Sequence, residues 1–167
     1  MEISKAERLI LANQFRILAE SNPQDKHLIR AEILERGYEA LYNDEIFNLL
    51  SEEMDQEEGD FVIDVLSMYR GIDDSYENLQ DKQNLSEREI TFPGFDGNYE
   101  TRYYGFTKFF IQDYSRFAEI DERCNGNFNS HRELIPKYRR MLETWNQIPS
   151  EERHSMNIEQ IQELLNA

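Results

Sequence analysis

Glu151 and His154 are the two residues of this sequence whose types and spacing come nearest to metal chemistry. Ligands three residues apart on a helix face the same way, and bundle proteins use two such pairs, with two more glutamates, to hold two metal ions. This sequence contains no second Glu-x-x-His pair, and the pair it has follows Pro149 in a polar segment without an apolar stripe. We therefore interpret the pair as the solvated start of a helix and predict no metal site.

Asp73, Asp74 and Glu77 form an acidic motif typical of helices that hold Mg²⁺ for a diphosphate substrate. Such a substrate also needs cations to bind its phosphates. Residues 39–81 contain Arg70 as their single base, and Asp74 falls near the outward side of the predicted helix. We therefore interpret the motif as solvated charge.

Residues 121–132 have the length of an EF-hand calcium loop, with Asn125 and Gly126 at the fifth and sixth positions. Arg123 occupies the third position, where a ligand is needed, and Arg132 occupies the twelfth, where a bidentate glutamate is needed. Because two cations replace two ligands, we predict a polar turn here and no calcium site.

No arrangement for nucleophilic catalysis is evident in the sequence. The histidines, His27, His131 and His154, are scattered, and the sequence lacks a G-x-S-x-G elbow, a P-loop and a dinucleotide fingerprint. Cys124 could pair with a histidine in space, but a free thiol is ordinarily inert. We lean towards a protein that is not an enzyme, and we expect no cofactor.

Asp96, Glu100, Arg102 and Tyr103 form the sequence's best candidate for a ligand or partner patch. They lie where a loop leads into a helix, a place where backbone N–H groups and charged side chains meet ligands. A purely structural interpretation is also open. In it Asp96 caps the helix, Glu100 favours the positive helix end and Arg102 pairs with a nearby acid.

Negative charge is concentrated in one quarter of the chain. The formal net charge is −16, and residues 39–81 hold fourteen Asp and Glu against Arg70, which gives −13. Glu57, Asp60 and Asp64 form an acidic row on the outward side of a predicted helix. This charge disfavours direct contact with nucleic acid or an anionic membrane. It suits either a basic partner protein or simple solubility.

Cys124 is the single cysteine, so the chain can form no internal disulfide, and a reducing compartment fits best. The N-terminal residues mix charged with apolar side chains, unlike a signal peptide. No stretch approaches the roughly 20 apolar residues of a membrane span. We therefore expect a cytoplasmic protein that makes no membrane contact.

Capping residues divide the first third of the sequence into helices. Ser4 and Glu7 form a capping box for the first helix. Asn22 and Pro23 are the start signal for a second helix, and Gly37 suits its end. A shorter third helix follows. The predicted buried stripes of these helices are Ile10, Leu11, Phe15, Ile17 and Leu18, then Leu28, Ile29 and Ile33, then Tyr42, Ile46 and Leu49.

The longest predicted helix covers residues 56–79 and is capped by Asp55. Its predicted buried stripe is Val62, Val65, Leu66, Tyr69, Ile72, Tyr76 and Leu79. Residues 91–98 pack a proline and two glycines into a short space and form a loop near the middle of the chain. Three helices follow: an aromatic one from near Tyr99 to Phe117, one from near Pro136 and one capped by Asn157. The sequence thus predicts an all-α single domain over residues 1–167 with about seven helices.

Half of the aromatic residues lie in residues 92–117. A platform that stacks nucleic-acid bases also needs excess positive charge, and the bases of this segment are balanced by acids, so a core stripe is the default interpretation. Tyr104 and Phe109 lie off the main stripe. The helix is therefore expected to be apolar over a broad arc, which suggests burial on two sides or a self-association face.

Residues 91–105, TFPGFDGNYETRYYG, carry the most distinctive pattern in the sequence, in Gly94, Phe95, Asp96, Glu100, Arg102, Tyr103 and Gly105. With this stretch the chain resembles the YfbU family of small bacterial proteins over essentially its full length. The other resembling segments are residues 8–15 (RLILANQF), 33–38 (ILERGY), 78–81 (NLQD), 137–145 (KYRRMLETW) and 161–167. The resemblance implies a helical fold and a bacterial source. It brings no activity and no catalytic residue.

Two functional hypotheses follow from the sequence. The first is a non-enzymatic, self-associating interaction or regulatory protein, a homo-oligomer whose partner is itself or another protein. The alternative is a small enzyme or ligand-binding protein with a carboxylate–arginine site near residues 96–103. We rank mimicry of a nucleic acid last, because its rows of carboxylates would have to cover a whole surface and residues 1–38 are neutral.

Overall fold

The computed structural model describes residues 3–23, 25–83 and 85–167, and these are mostly helical. They contain no β-strand, although an isolated parallel bridge pairs Phe95 with Asn129. The predicted all-α class is confirmed, but the predicted number of about seven helices is wrong, because the described residues contain nine. The helices are α1 (Lys5–Ser21), α2 (His27–Arg36), α3 (Tyr42–Glu45), α4 (Gln56–Asn78), α5 (Glu87–Ile90), α6 (Thr101–Lys108), α7 (Ala118–Cys124), α8 (Ile135–Gln147) and α9 (Ile158–Asn166).

The two helices that the sequence did not predict, α5 and α7, are too short to leave a periodic pattern. α5 is a single turn that Ser86 and Glu89 cap reciprocally. α7 follows Phe117, whose left-handed backbone (φ 56°) breaks the segment that we predicted to be one continuous aromatic helix. That helix is instead divided into α6 and a π-helical turn, Phe109–Asp113.

The contacts of the chain group into two compact units, Met1–Glu53 and Met54–Ala167. Each unit has, among its described residues, its own buried apolar cluster. The prediction of a single domain over residues 1–167 stays a prediction.

In the first unit α1 packs against α2. The predicted capping box of Ser4 and Glu7 begins α1. Gly37 ends α2 as predicted, with φ at 70°, and a Cβ at this position would overlap the Arg8 guanidinium. The buried cluster of the unit is Ala12, Phe15, Ala31, Ile33, Leu34, Tyr42 and Ile46.

The predicted start of the second helix at Asn22 and Pro23 is wrong. The Asn22 N–H donates to the Leu18 carbonyl at 2.9 Å and so ends α1. α2 begins later, at His27, after a Lys26 that makes no side-chain cap. Asn is acceptable at either end of a helix, and the sequence alone did not separate the two roles.

In the second unit α4 packs against every later helix, from α5 to α9. It begins with the predicted cap at Asp55, which forms a capping box with Glu58. Its predicted stripe is buried at Val62, Val65, Leu66, Tyr69, Ile72 and Tyr76. Pro136 lies in the first turn of α8 and Asn157 caps α9, both as predicted. Even α4, like every other helix in the described residues, lacks the combination of length and apolar content that a bilayer crossing requires.

Candidate functional site

α1 carries apolar side chains on two opposite faces. Its inner face is buried in the first unit through Ala12, Phe15 and Ala19. Its outer face, called here the α1 stripe, is apolar except at Asn13 and consists of Ala6, Leu9, Ile10, Asn13 and Ile17. Ile10 and Ile17 leave 56% and 64% of their surface exposed. A helix with apolar residues on two opposite faces is expected to bury both faces against other protein.

The outward placement of these large residues overturns part of the predicted core. The structure leaves 48% to 64% of each of these side chains exposed: Ile10, Ile17 and Leu18 on α1, and Leu28 and Ile29 on α2. The small Ala12 and Ala31 lie instead between the helices, fully buried. The predicted stripes consist of large side chains, whereas the small Ala12 and Ala31 are among the residues that the two helices bury.

The α1 stripe has the spacing of a coiled-coil seam. Ala6, Ile10, Asn13 and Ile17 follow one another in steps of four, three and four. None of the stripe residues is charged, and a single asparagine in such a seam is a known device that fixes register and oligomeric state. The neighbouring Arg16 pairs with a carboxylate of its own unit, because its Nε donates to Glu35 Oε1 at 2.7 Å. The stripe is therefore suited to packing against another mainly apolar helix face.

Asp96, the first member of the predicted carboxylate–arginine patch, is almost fully buried (2% exposed). Its Oδ1 accepts the backbone N–H groups of Asn98 and Tyr99, at 2.7 and 3.1 Å. These bonds hold the turn that leads into α6. Asp96 thus uses its side chain to bind backbone N–H groups of its own loop.

Glu100 is also buried, with 4% exposed, and both of its oxygens are occupied. Its Oε2 accepts the Asp96 N–H at 2.9 Å, and its Oε1 accepts the N–H groups of Leu134 and Ile135 at 2.7 and 2.8 Å. Glu100 therefore joins the loop before α6 to the first residues of α8. The open N–H groups at a helix start favour such a carboxylate.

Arg102 and Tyr103 lie apart from the two buried carboxylates and meet Glu58 in the first turn of α4. Arg102 Nη2 is 3.1 Å from Glu58 Oε2, and the Tyr103 hydroxyl donates to Glu58 Oε1 at 3.3 Å. Partial burial and the Glu58 carboxylate raise the pKa of Tyr103. A ligand site within residues 96–103 stays a prediction, and it rests on these two side chains.

The predicted acidic row lies beside Tyr103. Glu57, Asp60 and Asp64 are exposed on α4, and they line an open groove of about 540 Å³ together with Tyr103 and Arg139. Partial burial and the neighbouring Asp60 raise the pKa of Asp64. Such a groove attracts cationic groups. Docking of a basic partner protein stays a prediction.

Comparison with known proteins decides the family. A family model described as the YfbU domain matches residues 1–167. The chain belongs to the YfbU family. It is similar to the UPF0304 protein MJECS11 of Methanocaldococcus jannaschii, with 39% identity over an alignment of 171 positions that covers 99% of each chain. The resemblance seen in the sequence is confirmed. Because that relative is archaeal, a bacterial source for this YfbU-family chain stays a prediction.

The acidic motifs of this YfbU-family chain contact basic side chains of the protein itself. Arg123 forms ion pairs with Asp73 and with Glu77, the latter at 2.8 Å. His154 Nδ1 lies 2.8 Å from Asp74 Oδ2. Within residues 3–23, 25–83 and 85–167, no group of three His, Cys, Asp or Glu side chains is arranged to hold a metal ion.

Cys124 is expected to react slowly in the native YfbU-family protein. Its thiol is half-buried and donates to the Phe92 carbonyl at 3.1 Å, and burial, with the nearby Asp121, raises the pKa of Cys124 to about 11. A raised thiol pKa lowers the thiolate fraction at pH 8, roughly a hundredfold relative to the unfolded chain. Alkylation by iodoacetamide, followed by mass spectrometry in buffer and in urea, should show a slowdown of that order. Equal rates in the two conditions would contradict this prediction.

Proposed function

We propose that this chain is a non-enzymatic, self-associating interaction or regulatory protein, and that the α1 stripe is the contact between two copies. The observation that supports the proposal is the second face of α1, which is exposed, uncharged and mainly apolar although the first face already serves the core of its own unit. Water-exposed apolar faces of this kind mark protein–protein contacts.

The distribution of exposed apolar surface favours the first unit as the contact region. In the described part of the chain thirteen large hydrophobic side chains are exposed, and ten of them belong to residues 1–53. Three of these side chains, Leu9, Ile10 and Ile17, belong to the α1 stripe.

A second copy fits the stripe because its residues are complementary to themselves in the antiparallel direction. With a two-fold axis passing between positions 11 and 12, Ile17 faces the partner's Ala6, so a large side chain meets a small one. The two copies of Asn13 then flank the axis, where their amides can hydrogen-bond to each other, and Ile10 covers them.

Replacing Ile10 and Ile17 together by glutamate is expected to yield a monomer. Four carboxylates would then lie within each two-fold contact, which disfavours association. Because both side chains are more than half exposed, the fold of the single chain should persist. Native mass spectrometry should show a whole-number multiple of 20.0 kDa for the natural chain and 20.0 kDa for the variant, with unchanged helical circular dichroism.

Tyr99→Glu provides the matched control, because Tyr99 is 79% exposed but lies in the second unit. This variant should keep the mass of the natural complex. Self-association through α1 would be excluded by a natural chain that is monomeric at the highest concentration tested. The same follows if the double variant keeps the natural mass.

A further inference from the structure

A cleft in the second unit is lined by three basic side chains that form no ion pair with a carboxylate of the described residues. It has a volume of about 470 Å³, and Arg88 of α5, Arg132 and Lys137 of α8 line it. In the described part of the chain none of these three side chains forms an ion pair, taken as a nitrogen–oxygen distance of 4.0 Å or less. This is unexpected in a protein that has 34 acidic and 18 basic residues.

The charges around the cleft leave it positive. Arg132 and Arg140 lie near Lys137, and partial burial together with these two cations lowers the pKa of Lys137. One carboxylate, Glu89, also lines the cleft. Its Oε2 is already occupied, because it accepts the N–H and the hydroxyl of Ser86 at 2.9 and 2.6 Å. An anion bound in the cleft would relieve the repulsion among the cations.

The cleft is also lined by uncharged side chains, both apolar and polar. Leu85, Pro93 and Leu165 form an apolar part of the lining. Gln162 lines it too, and its side-chain amide makes no hydrogen bond to any other described residue. The volume lies within the range of ~300–1,000 Å³ that is usual for small-molecule sites. The lining therefore suits a molecule with an anionic end and an apolar body.

We propose that this cleft binds a small phosphorylated molecule. Arg88, Arg132 and Lys137 bind the phosphoryl oxygens, and the apolar wall contacts the rest of the ligand. Arginine is well suited to this role, since its planar donors match two phosphate oxygens at once. The site goes beyond self-association and shares no residue with the α1 stripe, because its lining lies in residues 69–166 and the stripe in residues 6–17.

Isothermal titration with inorganic phosphate, with pyrophosphate and with phenyl phosphate, at constant ionic strength, tests this site. We expect saturable binding of one molecule per chain, and tighter binding of phenyl phosphate than of inorganic phosphate because of its ring. The double variant Arg132→Ala/Lys137→Ala should bind at least tenfold more weakly. The control Lys108→Ala/Arg116→Ala removes the same charge from exposed positions outside the cleft lining, and its affinity should stay within about twofold of the natural chain.

A second readout uses the natural chain and so does not depend on the folding of a variant. Acetylation of lysines at pH 8, followed by mass spectrometry, should be slowed by pyrophosphate at Lys137 and not at Lys108. Absence of saturable binding, or equal losses in the two double variants, would overturn the proposal, as would equal protection of the two lysines. Repeating the titration with the Ile10→Glu/Ile17→Glu variant should give the same affinity, so that a failure of self-association and a failure of this site are distinguishable.

Discussion

Gly94→Ala is expected to prevent folding of the second unit, or to lower its free energy of unfolding by more than about 4 kcal/mol. A Cβ on Gly94 would overlap the backbone carbonyl group of Phe128, which cannot turn aside as a flexible side chain would. The Gly94 backbone is also in the left-handed region, with φ at 87°. The overlap falls where Phe95 N–H donates to the Phe128 carbonyl at 2.9 Å, so relief of the clash would break this pairing.

Gly105→Ala is the matched control for this prediction. Gly105 lies in α6, in the same distinctive stretch of the sequence, and a Cβ there would meet no atom within 4 Å. Alanine should therefore raise the free energy of unfolding by about 0.5–1 kcal/mol, because glycine costs conformational entropy in a helix. Urea unfolding followed by circular dichroism and by Trp145 fluorescence measures both variants. An unchanged midpoint for Gly94→Ala would contradict the close approach seen in the structure.

The sequence predicted best those features that are set by neighbours along the chain. The capping box at Ser4 and the caps at Asp55 and Asn157 are confirmed, since each depends on residues three positions apart. The stripe of α4 is confirmed as well, because α4 is long and is covered on one side by the rest of its unit.

The sequence could not predict which of two apolar faces a helix buries. On α1 the predicted stripe included both Phe15 and Ile17, and the structure buries the first and exposes the second. Hydrophobic periodicity identifies an apolar face of a helix, but it does not say whether that face is buried by the same chain or by another one.

The sequence did not predict the cationic cleft, because acidic residues flank its arginines along the chain. Arg88 stands between Glu87 and Glu89 in the sequence, and Arg132 precedes Glu133, so neither position looks basic. The cluster exists because α5 and α8 both pack against α4, which brings together positions that lie more than forty residues apart. Within the described residues, the neighbouring acids form no ion pair with these arginines.

The structural role that the sequence predicted for Glu100 is incomplete. The structural interpretation placed it at the positive end of its own helix. Its Oε1 instead accepts the N–H groups of Leu134 and Ile135, the latter being the first residue of α8. A contact between positions 34 residues apart has no signature in the local sequence.

Glu100→Gln is expected to lower the free energy of unfolding by about 3 kcal/mol, because a hydrogen bond to a buried charged group contributes about 1.5–3 kcal/mol. The glutamine retains one acceptor oxygen and replaces the other by an NH₂ donor. Either the Asp96 N–H or the N–H groups of Leu134 and Ile135 would then face a donor without water to replace the lost bond. Urea unfolding at pH 7 measures the loss.

Glu133→Gln is the control for Glu100, because Glu133 lies beside the same helix start but is exposed. Its effect should stay within about 0.5 kcal/mol of the natural chain. A loss at Glu100 and none at Glu133 would assign the buried carboxylate to holding α6 and α8 together. If Glu100→Gln were as stable as the natural chain, the carboxylate would not be needed to hold α6 and α8 together. The hypothesis of a ligand site at residues 96–103 would then become the better account of why a charge is buried there.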